Sequence, residues 1–372
     1  MKTFGVVSCN IYCNFTNYGS ALQSWALCNV IDKLGNGRWR SKLVDYCPDV
    51  MLDKDPLNPF PNMWDQDDDS KKSCELTLPA IKENYFKFNN FYSNRFEKSQ
   101  KYTSKNFSEI VNNEGLDGFV CGSDTIFCIE EFNGFEDGYY ANYDCMKQGY
   151  SVAYAASFGD TKFNEATYEI LKSRLSNFKY IGVRENRLLP FLKEYSSVPV
   201  QRVIDPTLLL DANDYAGITE NRQIKEKYLL IYSRRYNSKM EEFAVNLAKK
   251  NGWRIVEISL RAGNASLGHI MRYDAGVEEF LSLVKNAEFV VTNSFHGMIF
   301  SVQFRRQFAI FSREQCDTKI EELLELFGIS GQIMVSGLEP VIHKNYDEIH
   351  KKIQLARKNS LKFLQLELEN CK

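Results

Sequence analysis

The stretch VVTNSFHGMIFS, residues 290–301, indicates how this chain folds. An apolar run ends in Thr292, Asn293 and Ser294, and apolar residues resume after a histidine and a glycine. The pattern is typical of a buried strand that gives way to a helix, with Asn293 or Ser294 as the N-cap. It places His296, one of four histidines in the chain, in the first helical turn. Unpaired backbone N–H groups and the positive end of the helix dipole would stabilise a phosphate or a carboxylate there.

Strands and helices alternate on both sides of this stretch. Residues 3–9 predict a strand, a polar loop follows, and residues 20–35 predict a helix. A second alternation begins at residue 227, so both halves read as parallel α/β units. We expect an N-terminal domain at residues 1–204, a C-terminal domain at 205–344 and a long helix at 345–372. The boundary lies at Asp205-Pro206, which breaks regular structure.

Residues 53–73 differ in composition from the rest of the chain. They combine three prolines with an acid-rich run, which is typical of a solvated loop. We therefore expect a flexible, exposed insertion or lid here, with a helix resuming at residues 79–98.

Composition excludes several classes of function. A formal charge of −2 and a pI near 6.2 give no electrostatic signature of nucleic-acid binding. No apolar run approaches the roughly 20 residues that a membrane span needs. The ten cysteines include no C-x-x-C pair and several lie in apolar segments, which favours a reducing compartment, the cytoplasm. The histidines and carboxylates show no metal-ligand spacing, so we expect no metal.

Polar residues cluster where predicted strands end. Open parallel sheets bind ligands outside the carboxyl ends of their strands, so these clusters predict a binding cleft. Three of the clusters also have a structural explanation: His296 could pack locally, Asp124 could be an N-cap, and Arg184 could form a salt bridge between domains. The clusters are residues 17–20, 122–124, 184–186 and 293–297, together with the cations Arg234 and Arg235.

Taken in order, six stretches of the chain resemble the polysaccharide pyruvyl transferase family. The resemblance implies a GT-B-like α/β fold, in which two Rossmann-like parallel-sheet domains face a cleft and the C-terminal helix crosses between them. It also implies transfer of a pyruvyl group from phosphoenolpyruvate to sugar hydroxyls of a polysaccharide or glycan precursor, with no separate cofactor. The stretches are NYGSALQSWAL (17–27), DGFVCGSDTIF (117–127), SVAYAASFG (151–159), IGVREN (181–186), VIDPTLLL (203–210) and AEFVVTNSFHGMIFSVQF (287–304).

The resemblance also implies roles for the strand-end residues. His296 would hold the donor anions or move a proton, and Asp124 would contact the acceptor hydroxyl as a candidate base. Phe127 stands where the family more often has a tryptophan, and this difference concerns the contacts with the acceptor sugar. The implied donor-binding residues are Arg184, Arg234, Asn293, Ser294, Phe295 and Gly297, and the implied acceptor-binding residues are Asn17, Tyr18, Gly19 and Ser123.

Two other functions remain open at this point. A nucleotide-sugar glycosyltransferase could use the same architecture, with Glu278 or Glu279 contacting a ribose. A non-catalytic glycan-binding protein could keep the cleft without the reaction. The sequence does not identify the acceptor sugar, and it leaves open whether the acceptor is linked to a lipid.

Overall fold

A computed structural model describes residues 1–9, 16–62, 66–159, 161–313, 317–330, 333–334 and 345–371. Within these ranges the N-terminal half forms a parallel sheet in the order β3-β2-β1-β4-β5-β6-β7. Its strands are β1 (Lys2–Val7), β2 (Trp39–Tyr46), β3 (Lys98–Tyr102), β4 (Gly118–Cys121), β5 (Ser151–Ala156), β6 (Tyr180–Val183) and β7 (Val200–Arg202). Its helices are α1 (Tyr18–Gly35), α2 (Asp68–Arg95), α3 (Ile110–Glu114), α4 (Asp144–Gln148), α5 (Glu165–Leu175) and α6 (Leu189–Tyr195). We call this half the first lobe.

The C-terminal half, which we call the second lobe, forms a second parallel sheet. Its described strands are β8 (Tyr228–Tyr232), β9 (Arg254–Ile258), β10 (Ile270–Met271), β11 (Phe289–Thr292), β12 (Gln307–Phe311) and β13 (Ile333–Met334), in the order β10-β9-β8-β11-β12-β13. The helices are α7 (Ser238–Asn251), α8 (Val277–Asn286), α9 (Phe295–Gln303), α10 (Asp317–Phe327) and α11 (Tyr346–Glu369). Short 3-10 segments cover Asp49–Met51, Phe60–Asn62, Phe107–Glu109, Pro206–Leu208, Asp214–Ile218 and Ala262–Leu267. The predicted α/β class with two parallel sheets is confirmed.

The central strands are buried along their whole length. Every residue of β4, β5, β8 and β11 is buried, because helices cover both faces of a parallel sheet. In the described part of the chain eight cysteines are free, and all but Cys145 are buried, where they pack as small apolar side chains. Among the described helices, no segment has the length and apolar character needed to span a bilayer.

Helix α11 crosses from the second lobe to the first. Near its start, His350 Nε2 lies 3.0 Å from the Val302 carbonyl oxygen at the end of α9. Farther along, the Ser360 hydroxyl accepts a hydrogen bond from the Ile204 amide at 3.1 Å. Near its end, the Tyr150 hydroxyl of the first lobe donates to the Glu367 carbonyl at 2.6 Å. The expected crossing helix is therefore present. The division at residues 204/205 falls between β7 and β8 and stays a prediction.

A loop was expected over residues 53–73 and a helix from residue 79. The expectation is wrong for residues 68–78, which are helical. Helix α2 already begins at Asp68 and continues through Pro79. Asp67 is its N-cap and accepts a hydrogen bond from the Ser70 amide at 2.9 Å. The acid-rich run therefore serves the helix start, where carboxylates complement the dipole. Residues 63–65 of the proposed insertion lie outside the described residues.

Helix α2 connects the two lobes. The Ser73 hydroxyl accepts from the Gly263 amide at 3.2 Å, and Lys87 forms a 2.8 Å ion pair with Glu279. Asn84 donates to the Ala275 carbonyl oxygen. The segment after the proline-rich loop thus fixes the second lobe against the first, and these contacts do not fit a lid.

Candidate active site

The cleft between the lobes brings together side chains from opposite sides. The carboxyl ends of the first-lobe strands supply Asp124 after β4, Arg184 and Glu185 after β6, and Asp205 after β7. The second lobe contributes the start of α9 and the first turn of α10. Because all strands of each sheet run parallel, their carboxyl ends meet along one edge, where ligands of such sheets bind.

Asp205 stands at the centre of this arrangement. Its Oδ2 accepts a hydrogen bond from Arg184 Nη1 at 2.9 Å and lies 3.5 Å from His296 Nε2. Its Oδ1 accepts from the amide and the hydroxyl of Thr207, at 3.0 and 2.6 Å. Burial raises the pKa of this carboxyl, but His296, Arg184 and Thr207 together lower it far below its usual range. From the sequence, Asp205 is predicted only to break regular structure, and no local pattern distinguishes that role from a place in the cleft.

His296 faces the first lobe from the start of α9. Ser294, one of the two predicted candidates, is the N-cap, and its hydroxyl accepts from the Gly297 amide at 3.3 Å. That amide is therefore already bonded within the helix. The imidazole is buried and covers Gly19 at the start of α1, where an added Cβ would lie 2.0 Å from Nδ1. Phe295 turns its ring toward Arg184, whose guanidinium carbon is 4.7 Å from the ring centroid.

Gly19 is required by this close approach, which gives a testable prediction. In the Gly19→Ala variant the new methyl group collides with the imidazole, so the ring must shift out of place. A displacement of about 1 Å can cost about 10²-fold in turnover, and we expect a loss of that order in steady-state assays. Gly217→Ala is the matched control, because nothing lies within 4 Å of its added Cβ. Equal turnover in the two variants would contradict the placement of His296.

Asp124 lies on the first-lobe side of the cleft and is half-buried. Its backbone is left-handed, with φ 74°, and Oδ2 accepts from the Ser20 hydroxyl at 2.8 Å. Burial raises the pKa of Asp124, but the charges of His296, Arg184 and Lys319 lower it by more. The pKa therefore falls below the usual value. No α-helix of the described chain begins at Asp124, so the alternative of an N-cap does not apply.

A pocket adjoins this cluster between β6, β7 and α10. It is a small cavity of about 30 Å³ that opens to solvent. We call it the interlobe pocket. Cations and carboxyls line one part, and six apolar residues line the rest. The lining residues are Arg184, Glu185, Arg202, Val203, Ile204, Asp205, Leu208, Phe295, Lys319, Glu322, Leu323 and Leu326.

Two predicted acceptor-side residues have structural contacts instead. Ser123 is fully buried, and its hydroxyl donates to the Ala155 carbonyl at 2.9 Å. Tyr18 is also buried, stacks on Phe280 with centroids 4.4 Å apart, and donates to the Ala275 carbonyl at 2.7 Å. Both residues therefore stabilise the lobes and their junction. Phe127, named for the acceptor side, is likewise fully buried and stacks on a neighbouring tyrosine.

Three further predicted site residues use their polar groups within the protein. Asn17 caps α1 by accepting from the Gly19 amide at 2.9 Å. Asn293 accepts from the Arg234 amide at 2.9 Å and so fixes the loop after β8. Arg234 Nη1 donates across the cleft to the Thr16 carbonyl at 3.2 Å. Their geometry supports roles in positioning the loops, and any ligand contact stays a prediction.

Three buried polar atoms in this cleft have no hydrogen-bond partner among the described residues: Arg184 Nε, Glu185 Oε2 and His296 Nε2. Buried polar groups are normally bonded, so such a concentration is typical of a site that a ligand completes. No group of three or more His, Cys, Asp or Glu in the described ranges could hold a metal ion.

The two parallel-sheet lobes, the cleft and the crossing helix define a GT-B-type protein. An S. aureus MnaA–UDP structure has 12% sequence identity and a TM-score of 0.51, covering 95% of this chain and 87% of that one. A Neisseria meningitidis UDP-GlcNAc 2-epimerase bound to UDP-GlcNAc has 12% identity and a TM-score of 0.50, covering 99% of each chain. At these identities the likeness shows the fold alone.

The sequence decides the family within this fold. The polysaccharide pyruvyl transferase family model matches residues 17–315, so the chain belongs to that family. The resemblance drawn from six short stretches is thereby confirmed. No curated protein matches the chain.

Proposed function

We propose that this protein transfers a pyruvyl group from phosphoenolpyruvate to hydroxyls of a glycan or glycan precursor, forming a ketal and releasing phosphate. The chain belongs to a family of pyruvyl transferases, and one observation in its cleft supports the proposal. The cleft gathers Arg184 Nε, Glu185 Oε2 and His296 Nε2, all buried and without a partner in the described chain. The phosphate or the carboxylate of a small donor would supply an acceptor for the N–H of Arg184 Nε.

Two cations suit the anions of this donor. Arg184 is buried, and its planar fork can bind a carboxylate or phosphate while Nη1 stays on Asp205. Burial lowers its pKa, but Asp205, Glu185 and Asp124 raise it more, so the guanidinium is charged. Lys319 lies half-buried on the opposite wall of the interlobe pocket. Together they can hold the two anionic groups of one molecule.

His296 and Asp124 suit the acceptor hydroxyl. The negative charge of Asp205 near Nε2 favours a proton on that nitrogen, which leaves Nδ1 as the proton acceptor. Nδ1 faces Gly19, and the adjacent Ser20 binds Asp124. An imidazole and an ionised carboxylate therefore lie on the first-lobe side, where either could take the proton of an attacking hydroxyl.

Removing the cation on α10 should weaken donor binding. In Lys319→Met we expect KM for phosphoenolpyruvate to rise about 10- to 100-fold, because a charge-assisted hydrogen bond contributes about 1.5–3 kcal/mol. Steady-state kinetics with varied donor measure this, and Lys249→Met on the exposed face of α7 is the control. An unchanged donor KM would remove Lys319 from the donor site.

The proposed reaction has a direct test. Purified protein is incubated with phosphoenolpyruvate and a panel of glycan acceptors, and phosphate release and a ketal on the glycan are measured. We expect both to depend on acceptor and donor. Thermal shifts with phosphoenolpyruvate, and with uridine and guanosine diphosphate sugars, provide the second measurement. Stabilisation by a nucleotide sugar alone, with no phosphate released, would overturn the proposal.

The contacts of Glu278 and Glu279 disfavour the nucleotide-sugar alternative. Glu279 Oε2 accepts from the Gly276 amide at 2.7 Å and pairs with Lys87 at 2.8 Å. Glu278 pairs with Arg95 of α2. Both carboxylates thus join α8 to α2, so neither suits the role of binding a ribose. Phosphate release would likewise exclude a purely glycan-binding protein.

A further inference from the structure

Glu185 is a buried acid whose contacts do not explain its position. It follows β6, is 1% exposed, and its Oε1 accepts a hydrogen bond from the Ser157 hydroxyl. Oε2 is buried without a hydrogen-bond partner in the ranges that the structure describes. A carboxyl oxygen left in this state costs free energy, so it calls for a functional explanation. Glu185 also lines the interlobe pocket.

The pocket around Glu185 has a charged part and an apolar part. Arg184 from the same loop and Lys319 from α10 supply positive charges that act on Glu185. The remaining charged residues of the lining are Arg202, Asp205 and Glu322, while Leu208, Phe295, Leu323 and Leu326 form an apolar wall. This lining fits a small anion that also carries an uncharged carbon end. A donor whose anions face Arg184 and Lys319 would have its carbon end within the pocket.

We propose that Glu185 is the catalytic acid that protonates the methylene carbon of an enol-phosphate donor held in the interlobe pocket. The inference rests on the proposed function, because it assigns a residue to the first chemical step of that reaction. A structural ion pair between Glu185 and Arg184 is the main alternative. Arg184, however, directs Nη1 to Asp205 at 2.9 Å, so Asp205 is its bonded partner.

The acidities of the two cleft carboxyls agree with this assignment. Burial raises the pKa of Glu185, against the opposing effects of Arg184, the Ser157 hydroxyl and Lys319. The pKa of Asp124 is shifted in the opposite direction, as described above. Two carboxyl groups whose environments move their pKa values apart are typical of an acid and a base in one site. Glu185 is thus suited to hold a proton that Asp124 has lost.

The reaction begins with the transfer of a proton from Glu185 to the donor. The π electrons of the donor double bond take the proton from Glu185, which becomes a carboxylate, and the methylene becomes a methyl group. Positive charge develops on the adjacent carbon, to which the oxygen of the acceptor hydroxyl forms a bond as its proton passes to His296 or Asp124. The bond from that carbon to the phosphate oxygen then breaks, and phosphate leaves with the electron pair. The oxygen of a second hydroxyl then bonds to the same carbon and closes the ketal as its proton passes to the phosphate, and the proton held by His296 or Asp124 returns to Glu185. In the net reaction one hydroxyl proton ends on the methyl group and the other on phosphate.

The decisive variant is Glu185→Gln, which keeps the shape of the side chain but has no acidic proton to give. We expect kcat to fall about 10²–10⁴-fold while KM for phosphoenolpyruvate changes little. In the unchanged protein, kcat should fall as the pH rises through the raised pKa of Glu185, because the carboxyl must be protonated to act. The residual rate of Glu185→Gln should lack this alkaline limb. If the role of Glu185 were purely structural, its replacement by glutamine would leave the shape of the pH profile unchanged.

Glu367→Gln is the matched control. Glu367 is 3% exposed, burial raises its pKa, and it lies on α11 outside the lining of the interlobe pocket. We expect its variant to keep both kcat and the alkaline limb. If Glu185→Gln also keeps both while the unchanged protein releases phosphate, the role of Glu185 is overturned and the proposed function stands. If the unchanged protein releases no phosphate with any acceptor, the proposed function itself fails. The melting temperature of each variant shows whether it is folded. Calorimetry with phosphoenolpyruvate shows whether the donor site is intact in a variant that has lost turnover.

Discussion

Replacing His296 by alanine is expected to lower turnover by about 10²–10⁴-fold, the range for loss of a group that moves a proton. The imidazole is buried between Asp205 on one side and Gly19 on the other. Donor KM should change less than kcat, because Arg184 and Lys319 supply the charges that bind the donor anions. The measurement is steady-state kinetics of phosphate release.

The control for this prediction is His350→Ala on α11. His350 is half-buried and contacts the Val302 carbonyl, so its loss affects packing without touching the cleft. Burial lowers its pKa, and it stays neutral near pH 7. We expect near-normal turnover from this variant. Near-normal turnover from His296→Ala as well would refute the role of His296 in proton transfer. A loss confined to donor KM would instead assign the imidazole to donor binding.

The fold could be read from the sequence because its signals are local. Apolar runs that end in Gly, Ser, Asn or Asp mark buried parallel strands, and the run at residues 289–292 followed by Ser294 gave both β11 and the cap of α9. The start of helix α2 was not predicted because Pro79 and the acidic run both resemble loop signals. Contacts with the second lobe support the helix there, and a sequence pattern does not show such contacts.

The site was predicted less completely than the fold, because proximity to a strand end does not fix the direction of a side chain. Ser123 and Asp124 are neighbours, yet the first donates to the Ala155 carbonyl and the second reaches Ser20 in the cleft. Asp205 was missed for a similar reason. Its sequence neighbours suggest only a turn, and its partners Arg184 and His296 lie 21 and 91 positions away in the chain.

Replacing Asp205 by alanine is expected to destabilise the protein strongly and to abolish most activity. The change leaves Arg184 buried without its ion pair and removes the acceptor of two Thr207 hydrogen bonds. Breaking a buried pair by removing one partner costs about 3–5 kcal/mol of the free energy of unfolding. Urea unfolding measures this loss. A Glu369→Gln variant, which breaks an exposed ion pair with Arg38, should leave the free energy of unfolding nearly unchanged.

The Asp205→Asn variant removes the charge of this residue and keeps its shape. Comparing the pH dependence of its stability with that of the unchanged protein tests whether Asp205 is ionised. The pKa of Asp205 is lowered in the folded protein, so its charge stabilises the fold above the ordinary aspartate pKa of about 4. That contribution is lost as the pH falls from there toward the lowered pKa. The difference in unfolding free energy between the unchanged protein and Asp205→Asn should therefore be full at pH 7 and shrink below pH of about 4. A difference that stays constant down to strongly acidic pH would show that the carboxylate does not hold Arg184 and His296 by its charge.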